Sequence, residues 1–379
     1  MSFTYKKKIR LILFVIFILS IFSLNNKTFA EENRMKKIGI RKITILHTTD
    51  MHGRILEEDG GMGFGKLNTK IVQMKKENPD TILLDVGDAI QGSEIAKDSK
   101  GESIIKLMNA MKYDAMAVGN HEFDYGYRRL LEIKDMANFP MISGNISNEY
   151  GKKDFKPYII KEVDGIKIGI FSVITPDTQY ATSPKNIEGI TFLDPTIASR
   201  EIVRQLKDKE VDMIVGLTHI GISKRGNYSS IDIAKNVKGI DIIVDGHSHK
   251  ELDKGLKVGN TLIVQSGKYT ENLGIVDIKF LGSRIISKKA RLFGKDEAVE
   301  LEEDKEIKKL IDEIIEENKQ KSAEVTGKPR EKTYIVKPGD VLFRIGKKYS
   351  VGWSEIAKYN GMKNPNKIYP GDRIKIPVK

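Results

Sequence analysis

Five short motifs carry histidine, aspartate or asparagine directly after an apolar run, and together they hold five of the six histidines. Imidazole and carboxylate groups are ligands for Zn, Mn, Co and Fe, and carboxylates also suit Mg. Cysteine is absent, which excludes disulfides, Cys-ligated zinc and thiol catalysis. We therefore expect nitrogen and oxygen ligands only. The candidate metal ligands are Asp50, His52, Asp88, Asn120, His219, His247 and His249.

Seven candidate ligands are too many for one tetrahedral ion but suit two ions that share a bridging carboxylate. Two ions about 3.5–4 Å apart favour in-line attack on phosphorus, because they deprotonate a water and neutralise charge on the phosphoryl oxygens. The pattern predicts a phosphoester hydrolase with two divalent metal ions, and leaves open whether they are Mn, Zn, Co, Fe or Mg. The prediction depends on all five motifs in order, since one Asp-x-His pair has little weight. The sixth histidine, His47, lies within the first apolar run, and we interpret it as structural.

Short β-branched runs alternate with amphipathic segments between Ile43 and Phe280. The runs are almost continuously apolar, which is typical of strands covered on both faces. The sequence therefore predicts an α/β domain built in layers. Ligand sites in open α/β sheets gather at the carboxyl ends of strands, so motifs that follow the strands can converge on one site. The predicted strands include Ile43–Leu46, Thr81–Leu84, Ala115–Val118, Ile166–Val173, Met213–Leu217 and Ile240–Val244.

The five motifs also carry a family resemblance. They read, in order, Thr48-Thr49-Asp50-Met51-His52-Gly53, Gly87-Asp88, Gly119-Asn120-His121-Glu122-Phe123-Asp124, Thr218-His219 and Gly246-His247-Ser248-His249. From about Arg41 to Phe293 the chain resembles the 5′-nucleotidase family of calcineurin-like metallophosphoesterases. The resemblance implies a four-layer α/β/β/α fold with two central mixed sheets. It also implies one metal held by Asp50, His52, Asp88 and His249, and a second held by Asp88, Asn120, His219 and His247, with Asp88 bridging.

The same resemblance implies roles for two residues that are not ligands. His121 would be the catalytic histidine, which stabilises the transition state or assists the leaving group. Asp124, three residues on, would orient the imidazole, fix its tautomer and favour its cation. Some relatives carry Gln at the position of His249, so that position affects metal preference more than reaction class.

Full-length relatives continue into a second large domain, which supplies an aromatic clamp and arginines for the nucleoside. This chain instead offers an amphipathic helix between residues 297 and 325, a break at Gly327-Lys328-Pro329, and a small basic module. The motifs therefore predict phosphoester hydrolysis, with 5′-nucleotides as the leading substrates. Cleavage of 2′,3′-cyclic nucleotides or nucleotide sugars is the alternative within the same class.

Residues 332–379 form the C-terminal module, whose pattern predicts strand–helix–helix–strand. We expect Asp340 to cap a helix that begins at Val341. We also expect Ile345, Trp353 and Ile356 to form a small core, so that Trp353 is a core aromatic rather than a platform for a sugar.

This module resembles a LysM domain along its whole length. The resemblance implies binding to the N-acetylglucosamine-containing glycan of peptidoglycan. Val341 stands where the family usually has Thr or Ser, so one hydroxyl contact is expected to be missing. The implied glycan contacts are Gly339, Asp340, Val341, Asn366 and Ile368.

The N-terminus predicts export. A basic stretch from Lys6 to Arg10 precedes an apolar run from Leu11 to Phe22 that only Ser20 interrupts. This run is too short for a comfortable membrane span and suits a signal peptide. Thr28-Phe29-Ala30 offers a cleavage site, and an uncleaved anchor is the alternative. We predict a secreted, cell-wall-associated protein with no transmembrane segment after cleavage. Its predicted regions are a signal peptide at 1–30, a metallophosphoesterase domain at 41–294, a connecting helix and linker at 295–331, and a LysM domain at 332–379.

Charge is divided unevenly along the chain. Residues 332–379 hold 11 Lys and Arg against 3 Asp and Glu, whereas residues 31–331 hold 48 against 49. A uniformly basic nucleic-acid binder would not be split in this way, so we expect no nucleic-acid partner. The expected partners are a small phosphoester substrate and peptidoglycan, and acidic wall polymers would bind the module in a salt-dependent manner.

Two alternative functions belong to other functional classes. A peptidoglycan hydrolase is disfavoured, because the sequence has no Cys nucleophile and no His-Glu-x-x-His zinc helix. A wall-binding protein with an inactive enzyme domain is the second reading, which the intact set of ligands disfavours. The oligomeric state is left open.

Overall fold

The structure, a computed structural model, describes residues 39–57, 60–222, 227–325, 330–349, 351–362, 364–365 and 367–378. The predicted signal peptide and the predicted glycan contact Asn366 lie outside the described residues. The chain forms two compact units, one ending at Asp312 and the other beginning at Glu313, so the division falls within the predicted connecting helix. Among the described residues, no helix combines the length and apolar character needed to cross a membrane.

The first unit is built around two six-stranded sheets. In the first sheet, order β14-β13-β1-β2-β3-β4, four strands run parallel, and β13 is antiparallel to both β1 and β14. The carboxyl ends of the parallel strands therefore meet at one edge, where Asp50, Asp88 and Asn120 follow. In chain order the strands of this sheet are β1 (Ile40–Thr48), β2 (Thr81–Asp85), β3 (Ala115–Ala117), β4 (Met141–Ile142), β13 (Asn272–Leu281) and β14 (Arg284–Gly294).

The second sheet has the strand order β11-β12-β10-β9-β7-β6. Its four inner strands are parallel and its two edge strands are antiparallel to their neighbours. Two short strands, β5 (Ile146–Asn148) and β8 (Ile190–Phe192), pair apart from both sheets. The strands of the second sheet are β6 (Tyr158–Val163), β7 (Ile166–Ile174), β9 (Met213–His219), β10 (Ile242–Asp245), β11 (Leu256–Val258) and β12 (Thr261–Val264).

The two sheets pack face to face through one apolar core. Because side chains alternate across a strand, Ile43 and Ile45 of β1 point into this core together with Ile168 and Ile170 of β7 and Val215 of β9. Each is almost completely buried, and such burial contributes about 1.5–3 kcal/mol per side chain. The core holds the two sheets in register and so fixes the distance between their carboxyl-end loops.

Helices form the two outer layers. Helices connect the consecutive parallel strands of the first sheet, and because such connections are right-handed as a rule, their helices are expected to cover one face of the sheet. Two helices with buried Ile202, Leu206 and Ile233 cover the outer face of the second sheet. The predicted α/β/β/α fold is therefore confirmed. The helices of this unit are α1 (Gly63–Glu77), α2 (Glu94–Asp98), α3 (Glu102–Ala110), α4 (Tyr127–Met136), α5 (Thr178–Ala181), α6 (Pro195–Asp208) and α7 (Ser230–Asn236).

The predicted connecting helix is present, but it begins later than residue 297. Helix α8 (Lys305–Val325) starts after Asp304, whose Oδ1 accepts the backbone N–H groups of Glu306 and Ile307 at 3.0 Å each. An aspartate in this position satisfies N–H groups that have no partner within the helix. The cap therefore sets the start of α8, and the apolar side chains of Ile307 and Ile311 are buried.

His47 lies next to the carboxyl end of β1 and is 1% exposed. Its ring covers Gly274 on β13, where an added Cβ would overlap the imidazole, and its Nδ1 has no hydrogen-bond partner among the residues that the structure describes. Burial lowers the pKa of His47 to about 3. The ring is thus a neutral packing element, in agreement with the structural role expected from the sequence.

Replacing His47 by Leu is expected to reduce the loss of stability in mild acid. Because the pKa of His47 is lower in the folded protein (about 3) than in the unfolded chain (6.5), the unfolded chain binds the proton first as pH falls below 6.5. This residue should therefore cost about 2 kcal/mol of unfolding free energy between pH 7 and pH 5. Urea unfolding of both metal-free proteins at the two pH values measures the difference. An identical pH dependence of the two proteins would contradict it.

The second unit contains a βααβ module, as predicted. Strands β15 (Arg330–Ile335) and β16 (Arg373–Val378) pair antiparallel, and helices α9 (Leu342–Tyr349) and α10 (Trp353–Tyr359) lie between them in the chain. Ile345 and Ile356 are buried in its core, as expected from the sequence.

Two expectations for this module were wrong. Asp340 does not cap the first helix: its Oδ2 accepts the backbone N–H of Lys337 and the hydroxyl of Tyr334, so the carboxylate closes the preceding loop. Trp353 does not belong to the core but is 45% exposed. It is the first residue of α10, and helical side chains lean toward the N-terminus, so its ring lies beyond the core residues Ile356 and Ala357.

Candidate metal centre

Five of the seven candidate ligands have a left-handed backbone. Asp50, His52, Asp88, His247 and His249 have φ between 49° and 71°. This conformation is uncommon for residues other than glycine and clusters at functional sites, where surrounding structure maintains it. Here the chain turns sharply at the carboxyl ends of β1, β2 and β10, and the turns direct polar side chains back over the edges of both sheets.

The seven side chains converge in two groups. In the first, the Nε2 atoms of His52 and His249 are 3.3 Å apart, and His249 Nε2 is 3.4 Å from Asp50 Oδ1. In the second, His219 Nε2 lies 3.1 Å from Asp88 Oδ2. Ligand atoms within each of the sets Asp50–His52–His249 and Asp88–His219–His247 all lie within 4.8 Å of one another.

Asn120 adds to the second group, and Asp88 connects the two groups. The Oδ1 atom of Asn120 lies 2.8 Å from His247 Nδ1 and 3.2 Å from His219 Nε2. Asp88 also forms a compact set with His52 and His121, so its carboxylate faces ligand atoms of both groups. The structure thus brings together all seven residues that the sequence singled out.

The donor set fits divalent cations. Asp50 and Asp88 are buried carboxylates, and buried anions require compensating positive charge. Burial opposes the charge on both members of the Asp88–His219 pair, but their attraction holds the pKa of Asp88 far below its ordinary value and raises that of His219 to about 10. The negative charge that favours a proton on this pair would equally be neutralised by bound cations. Nitrogen and oxygen ligands for such cations are already in place.

Backbone and side-chain hydrogen bonds orient the ligands. His219 Nδ1 donates to the carbonyl oxygen of Val86 at 2.8 Å, which leaves Nε2 free to face Asp88. The N–H of His247 donates to Asp50 Oδ1 at 3.0 Å. Sequence reasoning missed Asp245, whose Oδ1 accepts from the Thr218 hydroxyl and the Gly221 N–H. Asp245 thereby ties the end of β10 to the end of β9 and the loop that follows it, and its burial raises its pKa to about 6.

His121 lies beside the ligands with one face open to solvent. Its Nδ1 is 2.8 Å from Asp124 Oδ2, and this hydrogen bond raises the pKa of His121 to about 9. Its backbone N–H donates to Asp88 Oδ1 at 2.8 Å, and its ring centroid is 5.2 Å from that of His52. The structure thus places the imidazole of His121 against Asp124 and beside the candidate metal ligands.

A cationic rim that the sequence analysis did not identify borders the first group. The ring of Tyr269 lies 5.5 Å from that of His52. The guanidinium of Arg54 and the ammonium of Lys268 lie 5.1 Å and 4.6 Å from the centroid of Tyr269. Two cations beside the ligands favour an anionic substrate. Of these three residues only Arg54 is next to one of the five motifs, so the local sequence did not predict that they lie together.

Two family comparisons agree with this geometry. Residues 43–251 match the sequence model described as calcineurin-like phosphoesterase. The chain belongs to this family. Residues 334–377 match the LysM domain, so the calcineurin-like phosphoesterase domain is followed by a C-terminal LysM domain. The family and the two domain types predicted from the sequence are therefore confirmed.

Individual relatives cover the phosphoesterase domain. The trifunctional nucleotide phosphoesterase protein YfkN of Bacillus subtilis is 34% identical over 64% of this chain and 18% of its own length. A 5′-nucleotidase of Vibrio cholerae is 34% identical over 63% of this chain and 49% of its own length. This chain thus spans half or less of these relatives.

Solved structures share the phosphoesterase fold. The crystal structure of the calcineurin-like phosphoesterase YfkN from Bacillus subtilis aligns with a TM-score of 0.67 at 25% identity, covering 74% of this chain and 99% of that one. A 5′-nucleotidase precursor from Thermus thermophilus aligns with a TM-score of 0.63 at 26% identity, covering 74% and 59%. The roles of individual residues in this chain remain predictions.

Proposed function

We propose that this protein is an exported, wall-associated phosphoester hydrolase that uses two divalent metal ions and acts on 5′-nucleotides. The observation that carries the proposal is the convergence of two ligand groups, delivered from five strand ends, on either side of Asp88. The 5′-nucleotidase relative and the nucleotide phosphoesterase relative support the substrate class.

The proposed ligands divide between two sites. Asp50, His52, Asp88 and His249 would hold one ion, and Asp88, Asn120, His219 and His247 the other. Ions bound there would supply Lewis acidity toward the phosphoryl oxygens and lower the pKa of a water.

The remaining residues of the site position the substrate and move a proton. His121, held by Asp124, would donate a proton to the oxygen of the leaving group, or its cation would stabilise negative charge in the transition state. Arg54 and Lys268 would attract the anionic substrate to the rim.

A substrate panel tests the proposed activity. Products are separated by chromatography after incubation with Mn, Zn, Co or Mg and nucleoside 5′-monophosphates, 2′,3′-cyclic nucleotides or nucleotide sugars, because the 5′-monophosphates release inorganic phosphate whereas the other two classes release phosphomonoesters. The proposal expects the highest kcat/KM on 5′-monophosphates. Preference for cyclic nucleotides or nucleotide sugars would favour the alternative substrates within the same class. If neither the metal-loaded wild type nor Asp88→Asn hydrolyses any of the esters, the protein would instead be a wall-binding protein with an inactive enzyme domain.

Binding to the wall is proposed to occur at a groove in the LysM domain. The groove has a volume of about 240 Å³. Three of the predicted glycan contacts line it, namely Asp340, Val341 and Ile368, and Pro365 lines it as well. Gly339 adjoins it at the preceding turn, with φ of 83°. Trp353 also lines the groove, so its exposed ring provides a flat apolar surface that suits one face of a pyranose.

Replacing Trp353 by Ala is expected to weaken binding of the full chain to purified peptidoglycan about tenfold, or about 1.4 kcal/mol. The ring is 45% exposed, and its removal should cost little stability. Tyr359→Ala is the matched control, because Tyr359 is 40% exposed on the same helix but does not line the groove. Sedimentation with peptidoglycan measures both variants. Equal binding of wild type and Trp353→Ala would contradict the proposed contact.

Export is proposed from the N-terminal sequence and from the presence of a LysM domain. Cleavage after Ala30 is expected to leave Glu31 as the first residue of the protein recovered from the cell wall. N-terminal sequencing of that fraction measures this directly. An intact N-terminus in the membrane fraction would instead indicate an uncleaved anchor.

A further inference from the structure

Glu122 follows the proposed catalytic histidine in the chain, yet its side chain is completely buried. Its carboxylate accepts hydrogen bonds from four backbone N–H groups. Oε2 accepts from Asp88 and Gly119, both at 2.7 Å, and Oε1 accepts from Ala89 and Ile90 at 2.9 and 3.3 Å. Three consecutive N–H groups directed at one anion form a nest. The loop around Asp88 is therefore folded about this carboxylate.

Glu122 joins two loops that touch backbone to backbone. A Cβ added at Gly87 would overlap the backbone of Gly119, and a Cβ added at Gly119 would overlap Asp88. Only glycine permits such an approach, and it brings the N–H groups of both loops to one carboxylate oxygen. Asp88 itself has φ of 56°, a conformation that the surrounding structure must maintain.

These two loops carry residues on which the proposed function depends. Asp88 is the proposed bridging ligand, Asn120 is a further ligand, and the N–H of His121 donates to Asp88 Oδ1. Glu122 belongs to none of the three compact His/Asp sets found in the described part of the chain, and complete burial keeps it from substrate. It can therefore act on the reaction only through its neighbours.

We propose that Glu122 is a positioning residue, whose carboxylate holds the Asp88 loop and the Asn120–His121 loop in the metal-binding arrangement before any ion binds. The consequence for catalysis rests on the proposed function. The positioning itself rests on the four hydrogen bonds and on the contact between Gly87 and Gly119.

Hydrogen exchange of the metal-free protein tests the positioning. In the wild type, the N–H groups of residues 88–90 and 119 are expected to be protected without metal. Glu122→Gln keeps the size of the side chain but turns an NH₂ group toward two of the four donors, so exchange should become about tenfold faster in both loops and not elsewhere. The control is Asp241→Asn, which alters a carboxylate that accepts the Ile214 N–H at the opposite end of β10.

Metal affinity provides the second readout. Titration calorimetry with Mn or Zn is expected to show binding about 10- to 100-fold weaker for Glu122→Gln and unchanged for Asp241→Asn. Unchanged exchange and affinity in Glu122→Gln, or equal changes in Asp241→Asn, would overturn the proposal. If Glu122→Gln does not fold, hydrogen exchange of the metal-free wild type is the test. Unprotected N–H groups in the two loops would then overturn the proposal. If the wild type binds no metal, the proposed function fails, and exchange still decides the role of Glu122.

Discussion

Replacing Asp88 by Asn is expected to lower kcat/KM for phosphate esters by at least about a thousandfold. Asp88 is buried between the two ligand groups and faces histidines of both. Asn is nearly the same size but removes the negative charge that would be shared by two cations. A loss of about 4 kcal/mol of transition-state stabilisation, the order expected for charge stabilisation by bound metal, corresponds to this factor.

Three measurements separate loss of the site from loss of the fold. Circular dichroism should show an intact structure, bound metal should fall below two ions per chain, and phosphate release should fall with it. As a control, Asp241→Asn changes a partly buried carboxylate at the far end of β10 and should retain activity within about twofold. An Asp88→Asn protein that keeps near-wild-type activity would exclude the proposed bridging role.

Replacing His121 by Asn is expected to lower kcat by about 10²- to 10⁴-fold while leaving the bound metal unchanged, because general acid catalysis contributes a factor of this size. Asp124 holds the ring at 2.8 Å and stabilises its cation. Asp124→Asn should therefore give a smaller loss, since the imidazole remains but is less well oriented. Neither variant removes a proposed metal ligand.

The leaving group distinguishes the two roles proposed for His121. An ester of an acidic phenol needs little protonation as it departs, whereas a ribose 5′-oxygen needs much. If His121 protonates the leaving group, His121→Asn should lose far less activity on p-nitrophenyl phosphate than on a nucleoside 5′-monophosphate. Equal losses on both would assign the imidazole to charge stabilisation instead. A kcat unchanged on both substrates would exclude a catalytic role.

Much of the phosphoesterase domain follows from local sequence. Runs such as Ile166–Val173 are almost continuously apolar because β7 is buried on both faces beyond Lys167, and the structure extends this strand only to Ile174. Strand ends predicted in this way placed the candidate ligands at one edge of each sheet. What local sequence did not predict is the pairing of β13 with β1, since this pairing joins residues more than 200 positions apart.

The features that were missed depend on distant partners. Glu122 stands in a recognisable motif, but its four N–H donors include three from a loop more than 30 residues away. Asp340 has the residue type of a helix cap, yet its carboxylate accepts hydrogen bonds from the hydroxyl of Tyr334 and the N–H of Lys337 instead. Trp353 has a spacing that favours the core, but its place at the start of α10 leaves the ring exposed.

Removal and return of metal tests the central claim most directly. The full chain is stripped with a chelator, metal content is measured, and phosphate release from a nucleoside 5′-monophosphate is followed as Mn, Zn, Co or Mg is added back. We predict that the stripped protein is inactive and that activity returns in proportion to two ions bound per chain. Full activity in protein shown to hold no metal, or no activity with two ions bound, would contradict a two-metal phosphoesterase.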